Sequence, residues 1–201
     1  MNISALAVFG VLSAVLQFVS LAPYFVDIMK GKTKPERATW WIWSLLNVIA
    51  FAAQLGAHAR WSLFMTAAQG MLNIGVAVLS LKHGYGRFHK GDLTAMAFAI
   101  LGVGLWWLFN SPLLALLVVV AVDLAGFWLT LAKTWRAPET ETLVTWVISV
   151  VSGFFGVLAV GEWNLTKMLY PAYIAAGNLL MVVIIVTRRP RRRRLVARER
   201  A

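Results

Sequence analysis

The amino-acid sequence predicts an all-α membrane protein with seven transmembrane helices, arranged as two parallel three-helix bundles joined by a linker helix (3+1+3). Three observations predict it: an apolar composition, seven long apolar runs and an internal repeat. Hydrophobic residues make up 60% of the 201 residues and charged residues only 13%, whereas soluble domains carry about 25% charged residues. The excess apolar surface indicates a lipid environment, where a helix satisfies its own backbone polar groups.

Seven apolar runs predict the seven helices, because each is near the roughly 20 residues needed to cross a bilayer core. They occupy residues 3–29, 38–57, 61–81, 93–109, 112–133, 143–160 and 167–187. Pro23 lies inside the first run and is expected to kink that helix near its inner end. Short polar turns separate the runs, so the sequence leaves no room for a soluble domain.

The basic residues alternate between the two ends of the runs. Of the 19 Lys and Arg residues, 17 lie after the first, third, fifth and seventh runs, and only Arg60 and Lys167 lie on the opposite side. The positive-inside rule therefore predicts an N-terminus outside and a C-terminus in the cytoplasm, and we expect a bacterial inner (plasma) membrane. The arginine-rich tail, 188–201, predicts contact with anionic lipid head groups. No aromatic residue interleaves the tail arginines, which argues against nucleic acid as a partner.

An internal repeat relates the two halves of the chain. Residues 19–24 (VSLAPY) resemble residues 122–127 (VDLAGF), and similar offsets pair Lys30 with Lys133, Pro35 with Pro138, Thr39-Trp40 with Thr145-Trp146, and Asn73 with Asn178. Because three spans and one linker offset the halves, both cross the membrane in the same orientation. The repeat predicts a first three-helix repeat over 1–90, a linker helix over 91–110 and a second repeat over 111–187. Parallel repeats are typical of certain transporters, which bind solutes between the repeats.

The motifs around the first basic loop resemble those of a known family. Leu21-Ala22-Pro23-Tyr24, followed by Asp27-Ile28, Gly31-Lys32-Thr33 and Thr39-Trp40, is similar to the PQ-loop/SWEET superfamily, which includes sugar transporters and PnuC-type vitamin transporters. The resemblance covers most of the chain and implies the 3+1+3 plan and alternating access. Tyr24 stands where the family has Gln, and Gly126 stands where the second repeat should have Pro. The resemblance implies a gating role for Pro23, and Gly126 is a candidate for local flexibility in its place.

Asp123 lies near the middle of the fifth run and is the candidate coupling or gating carboxylate. A charged group at that depth costs a few kcal/mol or more, so intramembrane carboxylates usually face a cavity or a partner. The alternative is a protonated or hydrogen-bonded residue that only packs between helices.

The candidate solute-binding residues lie on four runs. Asn73 and Asn178 are near the middle of the third and seventh runs, and the resemblance implies that they contact the solute. Ser44, Asn47, Ser149 and Ser152 are polar positions of the second and sixth runs, and Trp146 could stack on a flat ring. For each of these residues the alternative is helix packing, in which a polar contact contributes roughly 1 kcal/mol.

Other functions find no support in the sequence. Cysteine is absent, and His58, His83 and His89 lie in predicted loops without metal-ligand spacing, so we expect no cofactor, no metal site and no enzyme. The sequence favours a transporter of a small, neutral, hydroxylated solute resembling a sugar, nucleoside or vitamin, working as a monomer or homo-oligomer. The alternative is a seven-helix receptor or membrane scaffold that does not transport.

Overall fold

A computed structural model describes residues 3–56, 61–86, 112–161 and 165–199, together with residues 90, 93, 94, 97, 100, 101 and 104. Six α-helices lie in these ranges, and no β-strand occurs among the described residues. The helices are α1 (Ile3–Met29), α2 (Arg37–Gly56), α3 (Trp61–His83), α4 (Pro112–Arg136), α5 (Leu143–Val160) and α6 (Leu165–Glu199). A 3₁₀ turn, Pro138–Thr140, connects α4 to α5. The all-α prediction is confirmed for this part of the chain, and most of the fourth predicted run lies outside it.

Four stretches of these helices are long and apolar enough to cross a membrane. They are Ala5–Met29 of α1, Leu117–Arg136 of α4, Leu143–Val160 of α5 and Pro171–Arg189 of α6. Large apolar side chains cover the outside of the helices: Trp128 is 65% exposed and Met71 is 74% exposed. Buried positions hold Ser, Thr and Asn side chains beside apolar ones. Large exposed apolar side chains on long apolar helices are expected where the surface of a protein faces lipid.

The chain forms two compact units. Unit 1 contains Met1–Thr33 and Leu131–Ala201, and unit 2 contains Lys34–Thr130. Unit 1 therefore holds α1, α5, α6 and the last turns of α4, whereas unit 2 holds α2, α3 and the rest of α4. Each unit combines helices from both halves of the sequence. The repeat boundaries remain a prediction from sequence similarity.

Small residues of α5 allow close helix packing in unit 1. A Cβ atom added at Gly153 would lie 2.8 Å from the Cα of Ala175 in α6, and one at Gly156 would lie 3.2 Å from Oγ of Ser13 in α1. Ser152 completes this contact, because its hydroxyl donates to the carbonyl of Ser13 at 2.7 Å. Helices without large side chains at the contact can bring their backbones together, as membrane helices commonly do.

In unit 2, α2 runs antiparallel to both α3 and α4. Arg37 of α2 donates to the carbonyl of Ser80 at 2.8 Å, and a Cβ at Gly70 would lie 3.4 Å from that of Asn47. In an antiparallel pair, one helix advances along the chain as the other goes back, so residues at the same level have a constant sum of residue numbers. Both contacts fit this relation, and the same relation places Asn73 level with Ser44. On the other side of α2, Ile42 packs against Val122 of α4.

Candidate functional site

A buried carboxylate, Glu141, holds together four elements of unit 1. Lys133, in the last turn of α4, forms an ion pair with its Oε1, and the two side chains are only 2% and 0% exposed. The indole Nε1 of Trp146 donates to Oε2 at 2.8 Å, and the hydroxyl of Tyr24 in α1 donates to Oε1 at 3.5 Å. Arg189 of α6 donates to the main-chain carbonyl of Glu141. We call Tyr24, Lys133, Glu141, Trp146 and Arg189 the Glu141 cluster.

The Glu141 cluster explains two features of the sequence. Tyr24, at the position where the sequence departs from the Pro-Gln pattern it resembles, is buried, and its hydroxyl donates to the Glu141 carboxylate. Trp146, the candidate for stacking on a solute, is buried and already uses its N–H on Glu141. Its role as a solute-binding residue stays a prediction.

The end of α1 is tied to the start of α5 by side-chain hydrogen bonds. The hydroxyls of Thr33 and Thr142 are 2.5 Å apart, and Thr142 donates to Oδ2 of Asp27 at 3.0 Å. The main-chain carbonyl of Asp27 accepts the N–H groups of Lys32 and Thr33, around Gly31 with its positive φ of 69°. The loop after α1, the α4–α5 turn and Arg189 therefore meet at one end of unit 1.

The start of α2 carries a second buried carboxylate, in unit 2. Glu36 precedes the helix and is 8% exposed, and its Oε2 accepts the backbone N–H of Thr39 at 2.7 Å. A carboxylate at this position satisfies a free donor of the first turn and lies at the positive end of the helix dipole. The hydroxyl of Thr39 lies 2.5 Å from the carbonyl of Gly126 in α4, and Thr130 donates to that hydroxyl at 3.0 Å.

Gly126, the candidate gating residue, lies where α2 and α4 approach closely. A Cβ atom there would lie 3.2 Å from Cγ2 of Ile42 and within 3.4 Å of two further atoms of that side chain. The glycine is thus explained by packing within unit 2, and its gating role stays a prediction. Asp123 lies three residues earlier in α4 and is buried.

Arg37 joins the start of α2 to the segment that follows α3. Its guanidinium donates to the main-chain carbonyls of Ser80 at 2.8 Å, Tyr85 at 3.0 Å and Gly84 at 3.1 Å. A fourth hydrogen bond goes to the carbonyl of Gly86. The planar guanidinium suits such a set of acceptors, because it presents five N–H donors in a fixed geometry.

Three of the predicted solute-binding residues lie together in unit 2. Asn73 of α3 is 6% exposed, and its Oδ1 accepts from Nε2 of Gln69 at 3.1 Å. Asn47 of α2 donates its amide to the carbonyl of Trp43 at 2.9 Å. Ser44 uses its hydroxyl on the carbonyl of Trp40 at 2.7 Å. Within the described residues, neither the Asn73 NH₂ group nor the Asn47 Oδ1 atom makes a hydrogen bond.

An aromatic cluster lies beside these polar residues. The ring of Trp43 meets that of Trp40 edge-on, with centroids 5.1 Å apart, and stacks near Phe127 of α4 with centroids 6.4 Å apart. The Nε1–H of Trp43 is buried and has no hydrogen-bond partner among the described residues. We call Trp43, Asn47 and Asn73 the α2–α3 polar band.

The remaining candidates lie in unit 1. Asn178 of α6 donates to the carbonyl of Ile174 in its own helix at 2.8 Å, and Ser149 is buried in α5. Ser152 bonds to α1 through the carbonyl of Ser13, and Pro23 lies inside α1 without ending it. Asn73 and Asn178 thus belong to different units.

The described residues contain no group of three His, Asp or Glu side chains that could hold a metal ion. Comparison with protein-family models, curated proteins and solved structures finds no match for this chain.

Proposed function

We propose that this protein is a seven-helix transporter of the 3+1+3 plan, related to the PQ-loop/SWEET superfamily, that moves a small uncharged solute by alternating access. The α2–α3 polar band carries the proposal. It presents a buried indole donor, an amide donor and an amide acceptor that other described residues leave unused. Polar groups inside a membrane helix are costly unless they pair with one another or face a cavity or pathway.

The absence of charge in the polar band favours an uncharged solute. Its three residues are two amides and an indole, whereas the buried carboxylates of unit 2, Glu36 and Asp123, belong to the start of α2 and to α4. An ionic solute would need an opposite charge on the protein, since burying an unpaired charge is strongly unfavourable. Hydroxyl, carbonyl and ring-nitrogen groups can instead satisfy amide and indole partners directly.

Liposome uptake of radiolabelled glucose, sucrose, uridine, adenosine, pyridoxine and riboflavin tests the proposal. We expect at least one to enter wild-type proteoliposomes, and expect Asn73→Ala, Asn178→Ala and Asp123→Asn to reduce uptake about tenfold or more. A lost hydrogen bond in a buried site costs about 1.5 kcal/mol, which is about tenfold. Thr187→Ala is the matched control, because that exposed hydroxyl bonds only to its own helix.

The outcomes separate the alternatives. Full uptake by all three variants would remove the site assignment but leave transport intact. Saturable binding of a probe without any flux would favour the receptor or scaffold.

We also propose that the C-terminus is cytoplasmic, with the N-terminus outside and the basic end of α6 against anionic lipid. The guanidinium of Arg188 lies 3.5 Å over the ring of Trp135, and this indole is exposed, as at a membrane interface. α6 has 35 residues, about 52 Å at 1.5 Å per residue, so it is longer than a bilayer core of about 30 Å.

Cysteine labelling tests this orientation, since the natural chain has no cysteine. In intact cells we expect Ser4→Cys to react with a membrane-impermeant maleimide, and Ala197→Cys to react only after permeabilisation. The reversed pattern would overturn the orientation, and labelling of both positions from outside would overturn an odd number of spans.

A further inference from the structure

We propose that Trp135 and Arg188 form a binding site for the head group of one anionic phospholipid, and that the bound lipid stabilises the Glu141 cluster. The inference rests on the proposed contact between the basic end of α6 and anionic lipid, and it does not depend on transport. It goes beyond that contact because it assigns the head group to two side chains, separates them from the later arginines of the tail, and gives the lipid a regulatory effect.

Two consecutive arginines of α6 use their side chains differently. Arg189 donates to the main-chain carbonyl of Pro138 at 3.1 Å and to that of Glu141. Arg188 lies over the ring of Trp135, and its Nε is buried without a hydrogen-bond partner among the described residues. No carboxylate in the described ranges forms an ion pair with it. A buried donor without an acceptor is costly, so Arg188 is suited to a ligand that brings a negative charge.

A phosphate group fits the chemistry of Arg188. The planar guanidinium can donate two parallel hydrogen bonds to phosphate oxygens while its face stays stacked on the indole. The ring of Trp135 orients the guanidinium, so less freedom is lost when the phosphate binds. Arg136 follows Trp135 in α4 and is exposed, which adds a second positive charge. Two cations favour a head group with a net negative charge over a zwitterionic one, which already carries its own cation.

The site lies where two apolar stretches end. Trp135 belongs to the last turn of the stretch Leu117–Arg136, and Arg188 belongs to the last turn of Pro171–Arg189. Trp135 is 55% exposed, as an indole at the boundary between lipid and water commonly is. Leu124 and Trp128 lie on the same face of α4 at helical spacing and are exposed as well. Acyl chains can therefore pack along α4 while the phosphate reaches Arg188, which favours a phospholipid over a free phosphate ion.

The site adjoins the Glu141 cluster on both helices. Arg189, the residue after Arg188, donates to the main-chain carbonyl of Glu141. Lys133, two residues before Trp135, forms the buried ion pair with the Glu141 side chain. A lipid held by Trp135 and Arg188 thus stabilises the packing of the same two helix ends that hold Glu141. By linkage, a ligand that binds this packed arrangement stabilises it, and a change that loosens the arrangement weakens the ligand's binding.

Lipid retention and thermal unfolding of the full chain test the proposal. Protein in a neutral detergent is titrated with phosphatidylglycerol, and native mass spectrometry counts the lipids that stay bound. We expect wild type to retain one phosphatidylglycerol with saturable affinity, and to unfold at a higher temperature when this lipid is bound. Phosphatidylcholine and inorganic phosphate at matched concentrations are expected to produce neither effect.

Three substitutions that each remove one positive charge locate the site. Arg188→Gln loses the charge-assisted hydrogen bonds, and we expect its affinity for phosphatidylglycerol to fall about tenfold or more. Arg189→Gln should weaken binding by a smaller factor, because it loosens α6 from Glu141 without touching the lipid. Arg192→Gln is the matched control, since it removes the same charge from the tail, and its affinity should stay near that of wild type.

A pair of substitutions at Trp135 provides a second test that leaves every charge in place. Trp135→Phe keeps a ring face for the guanidinium, whereas Trp135→Leu keeps only an apolar side chain. We expect the Phe variant to bind phosphatidylglycerol more tightly than the Leu variant. This pair decides the matter if Arg188→Gln does not fold, and equal binding by the two variants would overturn the site.

The remaining outcomes separate the inference from the proposals on which it rests. Equal losses in Arg188→Gln and Arg192→Gln would mean that the tail attracts anionic lipid through charge alone, so the site falls while the proposed lipid contact stands. Binding of inorganic phosphate as tightly as phosphatidylglycerol would overturn the assignment to lipid, and wild-type binding by Arg189→Gln would overturn the link to Glu141. If wild type retains no phosphatidylglycerol, the proposed lipid contact falls as well, whereas solute uptake tests transport independently.

Discussion

Replacing Lys133 with Met is expected to destabilise the protein by about 3–5 kcal/mol, as breaking a buried ion pair from one side does. The substitution leaves the Glu141 carboxylate buried without its cation, and among the described residues the Trp146 indole and the Tyr24 hydroxyl are the donors that remain to it. Thermal unfolding of the purified protein in detergent, followed by circular dichroism, measures the loss.

The matched control removes the negative charge of Glu141 together with the positive charge of Lys133. In Lys133→Met/Glu141→Gln no charge stays buried, and the Gln carbonyl can still accept the Trp146 N–H. We expect the double variant to be more stable than Lys133→Met alone, because replacing a whole buried ion pair costs far less than breaking it. The single variant Glu141→Gln completes the comparison. If the double variant loses as much stability as Lys133→Met and Glu141→Gln lose together, the two side chains are not energetically coupled.

The sequence predicts the helices well and this cluster not at all. Apolar runs locate the six described helices because each helix must be apolar over its span. α6 continues past residue 187 to Glu199, since arginine is a good helix former although it ends an apolar run. From the sequence, Lys133 and Glu141 look like ordinary charged residues near a loop. The residues around them do not indicate the contact with Tyr24, which lies 117 positions before Glu141.

The sequence also leaves open what the polar side chains within the predicted helices bind. Ser44, Asn47 and Asn178 all donate to the carbonyl four residues earlier in their own helix, a bond that sequence cannot distinguish from a contact with solute. Ser152 bonds to a neighbouring helix instead. The buried N–H of Trp43 is visible only once Trp40 and Phe127 are placed around the ring.

Gly126→Val is expected to destabilise unit 2 by about 1–3 kcal/mol, as overpacking does. The new Cβ would lie 3.2 Å from Cγ2 of Ile42, and a branched side chain adds two more carbons to that contact. Ile42→Ala on the Gly126→Val background removes the opposing atoms and is expected to recover much of the lost stability. Thermal unfolding of wild type, both single variants and the double variant measures the coupling.

The same four proteins decide whether Gly126 serves packing or gating. If the glycine only permits close approach of α2 and α4, the double variant should recover uptake together with stability. If backbone flexibility at Gly126 is needed for alternating access, stability should return while uptake stays low, because valine restricts the backbone whatever lies opposite. Recovery of both would assign Gly126 to the contact with Ile42, and recovery of stability alone would assign it to the transport cycle.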